Sequence, residues 1–305
     1  MPNPDVDEQN RYIYDADNVS RCNARGSAMP NPQWLKKMKA IYILAAAAII
    51  ATASFAFGQT FPIPDGAVFN AFAGRTGAFV MIDCASGAIS DFDRDASLEK
   101  LPPCSTFKIW NTLIGLESGV ISAPDASFYK WDGEIRPIPE WNRDLTLKEA
   151  FQASCVPAFQ ELARKIGQQR MRTWIRKIGY GTRDISAGID TFWLPTKGRK
   201  TILISTDAQA KLMCQLVSKR LPFSGNSLAV LKEIMAIKKT DKGILYGKTG
   251  SRANEEGKYI MGWFVGYVEA KQKTYAFACN LKGINLAGKD ARAIVEQILE
   301  TQGML

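Results

Sequence analysis

Met261-Gly262-Trp263-Phe264-Val265-Gly266-Tyr267 is the stretch that decides the fold. It lies in the middle of three strand-like segments, Ile244–Thr249, Ile260–Val268 and Thr274–Leu281, rich in β-branched and aromatic residues. A helical pattern over Gly288–Gln302 follows them and closes the chain. Working outward, Ala78–Ile82 and Ala88–Phe92 read as two further strands about the turn Ala85-Ser86-Gly87. Between these groups the period becomes helical, over Phe107–Leu116, Thr146–Ala153, Pro157–Ile166, Met171–Ile178 and Ser205–Arg220. Residues 127–144 read as an irregular, ordered stretch and residues 179–200 as loop. Strands, a long helical middle, strands and a helix predict an α/β fold of the α+β type. Its antiparallel sheet is flanked by helices, its first and last segments meet, and an all-helical lobe is inserted between them.

The first 58 of the 305 residues differ from the rest. Residues 1–40 alternate acidic and basic side chains with no apolar period, which reads as unstructured. Lys36-Lys37-Met38-Lys39 then precedes an alanine-rich apolar run from Ile41 to Gly58, the pattern of a secretory signal ending near Ala56-Phe57-Gly58. The same run, if uncleaved, is a short membrane anchor. The division expected is residues 1–58 as extension plus signal or anchor, and residues 59–305 as one catalytic domain. Periplasmic export is the expected location, with anchorage to the inner membrane as the alternative. Membrane contact is expected only if the segment stays attached. Net charge is +9, but the basic residues are scattered rather than clustered, so no nucleic-acid partner is expected. No two cysteines form a Cys-x-x-Cys pair, which argues against a zinc site. Export permits one or two disulfides among Cys84, Cys104, Cys155, Cys214 and Cys279.

The chemistry starts at Ser105-Thr106-Phe107-Lys108, and the chain has no histidine. A serine nucleophile here needs another base, and a lysine three residues on shares its helix face. At a helix start, free backbone N–H groups can stabilise an oxyanion. A lysine among Phe107, Ile109 and Trp110 loses its charge readily, and a neutral amine can accept a proton or react with carbon dioxide. Alone, the tetrad reads equally as a capping serine with a solvent-seeking lysine. A second hydroxyl, Ser154, sits in Ser154-Cys155-Val156 between two helices. Lys248-Thr249-Gly250, at a strand end before Ser251, can hold a substrate carboxylate and let substrate approach the strand edge.

Together these three elements resemble the class D (oxacillinase-type) serine β-lactamases, within the penicillin-recognising serine acyltransferases. The resemblance covers residues 70–302. It includes Trp141-Asn142-Arg143-Asp144, Tyr180-Gly181, Phe192-Trp193-Leu194, Leu221-Pro222-Phe223-Ser224 and Gly262 to Glu269. It implies a β-lactam substrate, with Ser105 as the acylated nucleophile. It implies Lys108 modified to a carbamate by carbon dioxide or bicarbonate and acting as general base, with no other cofactor and no metal. Trp193 is implied to donate its N–H to that carbamate, Val156 and Leu194 to border it, and Ser154 to pass a proton to the lactam nitrogen. The backbone N–H groups of Ser105 and Ser251 form the implied oxyanion hole. Lys248, Thr249, Gly250 and Arg292 form the implied carboxylate and strand-edge subsite. Thr182, Ser251 and the run Pro195 to Lys200 depart from the family pattern and bear on substrate range. Cys104 and Cys155 adjoin the two serines, and the sequence leaves two alternatives for them, a pair of buried thiols or a disulfide bracing the site. The competing readings are a membrane-anchored penicillin sensor, acylated without turnover, and a peptidoglycan transpeptidase.

Overall fold

A computed structural model describes residues 63–122, 127–196 and 198–305. The expected extension, signal or anchor over residues 1–58 lies outside the described residues. In chain order the elements are α1 (Asp65–Phe72), β1 (Thr76–Asp83), β2 (Ile89–Phe92), α2 (Arg94–Leu98) and α3 (Lys108–Glu117). Next come β3 (Ser127–Tyr129), β4 (Leu145–Thr146), α4 (Leu147–Gln152), α5 (Val156–Ile166), α6 (Gln168–Ile178), α7 (Thr206–Val217) and α8 (Gly225–Met235). The chain ends with β5 (Ala236–Lys239), β6 (Gly243–Ala253), β7 (Tyr259–Ala270), β8 (Lys273–Lys282) and α9 (Gly288–Thr301).

The main sheet has the order β2-β1-β8-β7-β6-β5, antiparallel throughout. Its first and last long strands pair, with Phe79 opposite Cys279, so the chain ends meet as expected. Both faces are apolar because successive side chains point opposite ways. Phe79 and Met81 of β1, with Phe264 and Val268 of β7, pack with α1 and α9. Val80 and Ile82, with Trp263, Val265 and Tyr267, join the core shared with the helical lobe. Covering on both faces explains why the deciding stretch is continuously apolar rather than alternating.

Within the lobe, α3 is buried on every side from Lys108 to Gly115. The helix starts follow the sequence signals. Thr146 forms a capping box with Glu149, and Ser205 caps α7 by accepting from Ala208 N at 3.2 Å. Helix α8 and strand β5 were absent from the expectation. Ser224, which caps α8, and the spacing of Val230, Leu231 and Ile234 carried that signal. Strand β5 lies outside β6 but pairs with it only up to Tyr246, so β6 has an open edge from Gly247 onward.

Of the two alternatives for Cys104 and Cys155 the structure has the buried free thiols, not the disulfide. Cys84 and Cys214 bond instead, across 130 residues, with Cα atoms 5.4 Å apart. The reason is packing: α7 lies on β1 and β8, which brings Cys214 to the end of β1 at bonding distance. The bridge ties the helical layer to the sheet. Cys84→Ser should lower unfolding stability by about 2–5 kcal/mol, measured by thermal or urea denaturation.

Candidate active site

Ser105 lies in a 3-10 turn, Cys104–Phe107, that runs straight into α3. Cys104 holds φ +52°, a left-handed conformation that costs a residue with a side chain roughly 1–2 kcal/mol. The surrounding bonds hold it there. Trp263 Nε1 donates to Pro102 O (2.9 Å), Thr106 Oγ1 donates to Pro103 O (2.7 Å), and Leu101 exchanges both backbone bonds with Ile204 (2.9 Å each). Such strain persists only where neighbours over-determine it.

Lys108 Nζ donates to Ser105 Oγ at 2.9 Å. The lysine is fully buried, and burial brings its pKa down from 10.5 to about 7. The groups coupled to it are the Cys155 and Cys104 thiols, which would oppose the shift only if ionised, and among the described residues no carboxylate acts on it. The Phe159 ring lies 5.4 Å from Nζ. Burial pushes the Cys104 thiol up to about 12 and raises Cys155 too, so both are neutral walls of the pocket.

Ser154, half-buried, ends the turn after α4 with φ +55°. Its N–H bonds to Phe151 O (3.1 Å), the next N–H to Ala150 O (2.8 Å), and Trp141 Nε1 pins Ala153 O (2.9 Å). Phe159, whose ring faces Lys108 Nζ, and Phe151, whose ring faces Lys248, stand on the helices to either side of this turn, which places the Ser154–Val156 segment beside the base. Lys248 comes from the opposite side. It is buried, its Nζ donates to Thr249 O (3.0 Å), and it faces the Phe151 ring at 5.7 Å. Burial first and the Lys108 charge second push its pKa well below the ordinary lysine value. All three sequence motifs therefore converge on one locus.

Strand β6 touches the nucleophile turn directly. A Cβ on Gly250 would sit 3.0 Å from Pro103 O and 3.2 Å from Ser105 N, so tight that the neighbouring backbone would have to give by about a few tenths of an ångström. Glycine here lets the strand backbone abut the nucleophile. Lys248, Thr249 and Arg292 line a cleft of about 280 Å³ beside the open edge of β6, walled by Phe151, Ile234 and Ile237. Arg292 thus lines the same cleft as Lys248 and Thr249, with its Nε donating to Glu296 at 2.7 Å. The Ser251 side chain is committed elsewhere, accepting from Gly288 N at 2.9 Å.

Trp193 is fully buried, stacked on Phe107 (5.8 Å, 19° between planes) and edge-on to Phe192 (5.0 Å). Its Nε1–H has no hydrogen-bond partner among the described residues. A buried donor left unpaired costs about 1–3 kcal/mol, so this N–H is placed to donate to an acceptor in the pocket. Leu194 is half-buried against the same core. The sequence reading passed over Phe151 and Phe159, although each lies within five residues of Ser154 on the helices that flank it. Among the described residues no group of three or more acids, cysteines or histidines could hold a metal ion.

The family model for the penicillin binding protein transpeptidase domain matches residues 73–300. The crystal structure of a class D β-lactamase from Bacillus subtilis is similar at TM-score 0.72 and 34% identity, covering 78% of this chain and 96% of that one. The chain belongs to the class D serine β-lactamases. Within that family, β-lactamase OXA-10 of Pseudomonas aeruginosa is 36% identical over 231 residues, 75% of this chain and 85% of the relative. The regulatory protein BlaR1 of Bacillus licheniformis is 31% identical over 237 residues, 77% of this chain but only 38% of that protein. The six-stranded antiparallel sheet and its helices are those of the class D β-lactamase fold.

Proposed function

We propose that this class D β-lactamase opens the lactam ring of penicillin-type antibiotics through an acyl-enzyme on Ser105. The 2.9 Å bond between Ser105 Oγ and the weakened Lys108 amine carries this reading. Ser105 Oγ attacks the lactam carbonyl carbon and its proton leaves to the base at Lys108. The lactam C–N bond then breaks, and the proton held at Lys108 reaches the departing nitrogen through the Ser154 hydroxyl, which receives one proton as it gives up its own. Water attacks the Ser105 ester, the ring-opened acid leaves, and the serine regains its proton. The Ser105 and Ser251 N–H groups hold the oxyanion, and the close approach of Gly250 to Ser105 N supports pairing them. Lys248, Thr249 and Arg292 receive the substrate carboxylate, with Arg292 offering two parallel donors.

Two observations fit a carbamate on Lys108: the unpaired Trp193 Nε1–H, and two buried lysines, Lys108 acting against the charge of Lys248, with no carboxylate among the described residues acting on either. A negative group there would accept from Trp193 and restore the charge of Lys248. It would form as the neutral amine nitrogen bonds the carbon of carbon dioxide and releases a proton to solvent, and it would supply an oxygen base at Ser105 Oγ. Val156 and Leu194, half-buried at the pocket, limit water entry.

The test is a time course with a chromogenic β-lactam, with and without bicarbonate. Steady turnover, faster with bicarbonate, is expected. One equivalent of acylation with no turnover would overturn hydrolysis and favour the receptor reading that likeness to BlaR1 suggests. The basic segment before Ile41 and the apolar run to Gly58 support export to the periplasm as the setting for this reaction.

A further inference from the structure

Resting on the β-lactam reading, we propose that Arg252 selects substrates whose acylamino side chain carries an anionic group. Three observations converge on it. Side chains of β6 alternate, so Lys248, Gly250 and Arg252 share a face. That face fronts the nucleophile, since Gly250 abuts Ser105 N. Thr249 and Ser251 point the other way, to Gly288 at the start of α9. Two residues along a strand is about 7 Å, so Arg252 stands one substituent beyond the acylated carbonyl.

Arg252 also lines a cleft of about 590 Å³ with Pro195 and Thr196, which directly follow the Trp193-Leu194 wall. Its charge reaches the Cys104 thiol next to Ser105 and lowers that thiol's pKa against the larger effect of burial. Among the described residues the Arg252 guanidinium makes no ion pair. Glu255 and Glu256 line the same cleft, but they lie past a register shift after Arg252, on the tip Asn254–Lys258, where Glu256 pairs with Lys258 at 3.1 Å. The register shift separates Arg252, on the regular part of the strand, from the tip.

Three penicillins with one nucleus and one phenyl ring test this: benzylpenicillin, its α-carboxy analogue and its α-amino analogue. The wild type should rank them by kcat/KM with the α-carboxy compound favoured over the α-amino compound. Arg252→Gln should lower the ratio of α-carboxy to benzyl kcat/KM by about three- to fivefold, the scale of an exposed ion pair. Arg252→Lys should restore part of it, and added salt should erode it in the wild type. An unchanged ratio in Arg252→Gln would overturn the proposal. If none of the three turned over, the hydrolase reading would fall, and the second-order rates of Ser105 acylation by the same compounds would still decide the role of Arg252.

Discussion

Lys108→Ala is expected to cut penicillin turnover by about a hundred- to ten-thousandfold, the range for loss of a positioned general base. Histidine is absent from the chain, so no imidazole can stand in. The flanking thiols cannot either, because burial holds both as neutral S–H groups. Lys248 is buried too, but it donates to Thr249 O, and Ser105 Oγ receives its bond from Lys108. Mass spectrometry should show any residual acyl-enzyme as the full mass of the added penicillin, persisting instead of decaying. Hydrolysis at the wild-type rate would refute Lys108 as the base. The wild-type pH profile is a second readout. Folding brings the lysine from 10.5 to about 7, so the proton-accepting form dominates above about pH 7, and activity should fall about tenfold per pH unit below it. The sign for stability follows. Between about pH 7 and 10.5 the unfolded chain holds a proton that the folded chain has shed, so this group's penalty is greatest below pH 7 and eases as pH rises.

Gly250→Val should lower kcat/KM by about a hundredfold while the protein still folds. A shift of about 1 Å at reacting groups has a cost of that order. Its Cβ would sit 3.0 Å from Pro103 O, 3.2 Å from Ser105 N and 3.2 Å from Thr106 Cγ2, two of them backbone atoms that cannot swing aside. Strand β6 must then retreat from the nucleophile turn, separating the Ser105 and Ser251 N–H groups while β6 stays paired to β7. Circular dichroism and thermal melting check the fold, and steady-state kinetics check the loss. A folded variant with undiminished kcat/KM would show that the contact does not position the site.

The sheet was legible because its strands are long and apolar on both faces; Trp263 and Phe264 serve opposite cores, and no helix period fits them. Ser105 and Lys108 were legible because i and i+3 meet in either kind of helix, so the 3-10 turn that replaces an α-helical start left their pairing intact. The disulfide was not legible. Sequence neighbours of the serines suggested Cys104–Cys155, whereas the bond depends on where α7 lands on β1. Arg252 was passed over because its meaning depends on strand phase relative to Gly250, which only the register supplies. Strand β5, four residues with two lysines, has too little apolar pattern to announce itself.

The turn that bears Ser105 is clamped by Trp263 and Gly250, residues made more than a hundred positions after it. Strand β1, too, stays without its inner neighbour until β8 arrives. A ribosome that has delivered the nucleophile has therefore not yet delivered what shapes it. Reactivity is switched on late, by contacts of long sequence separation that form slowly and all together. A chain still crossing a membrane N-terminus first would carry its serine through unfinished, and become reactive only after its last strands arrive.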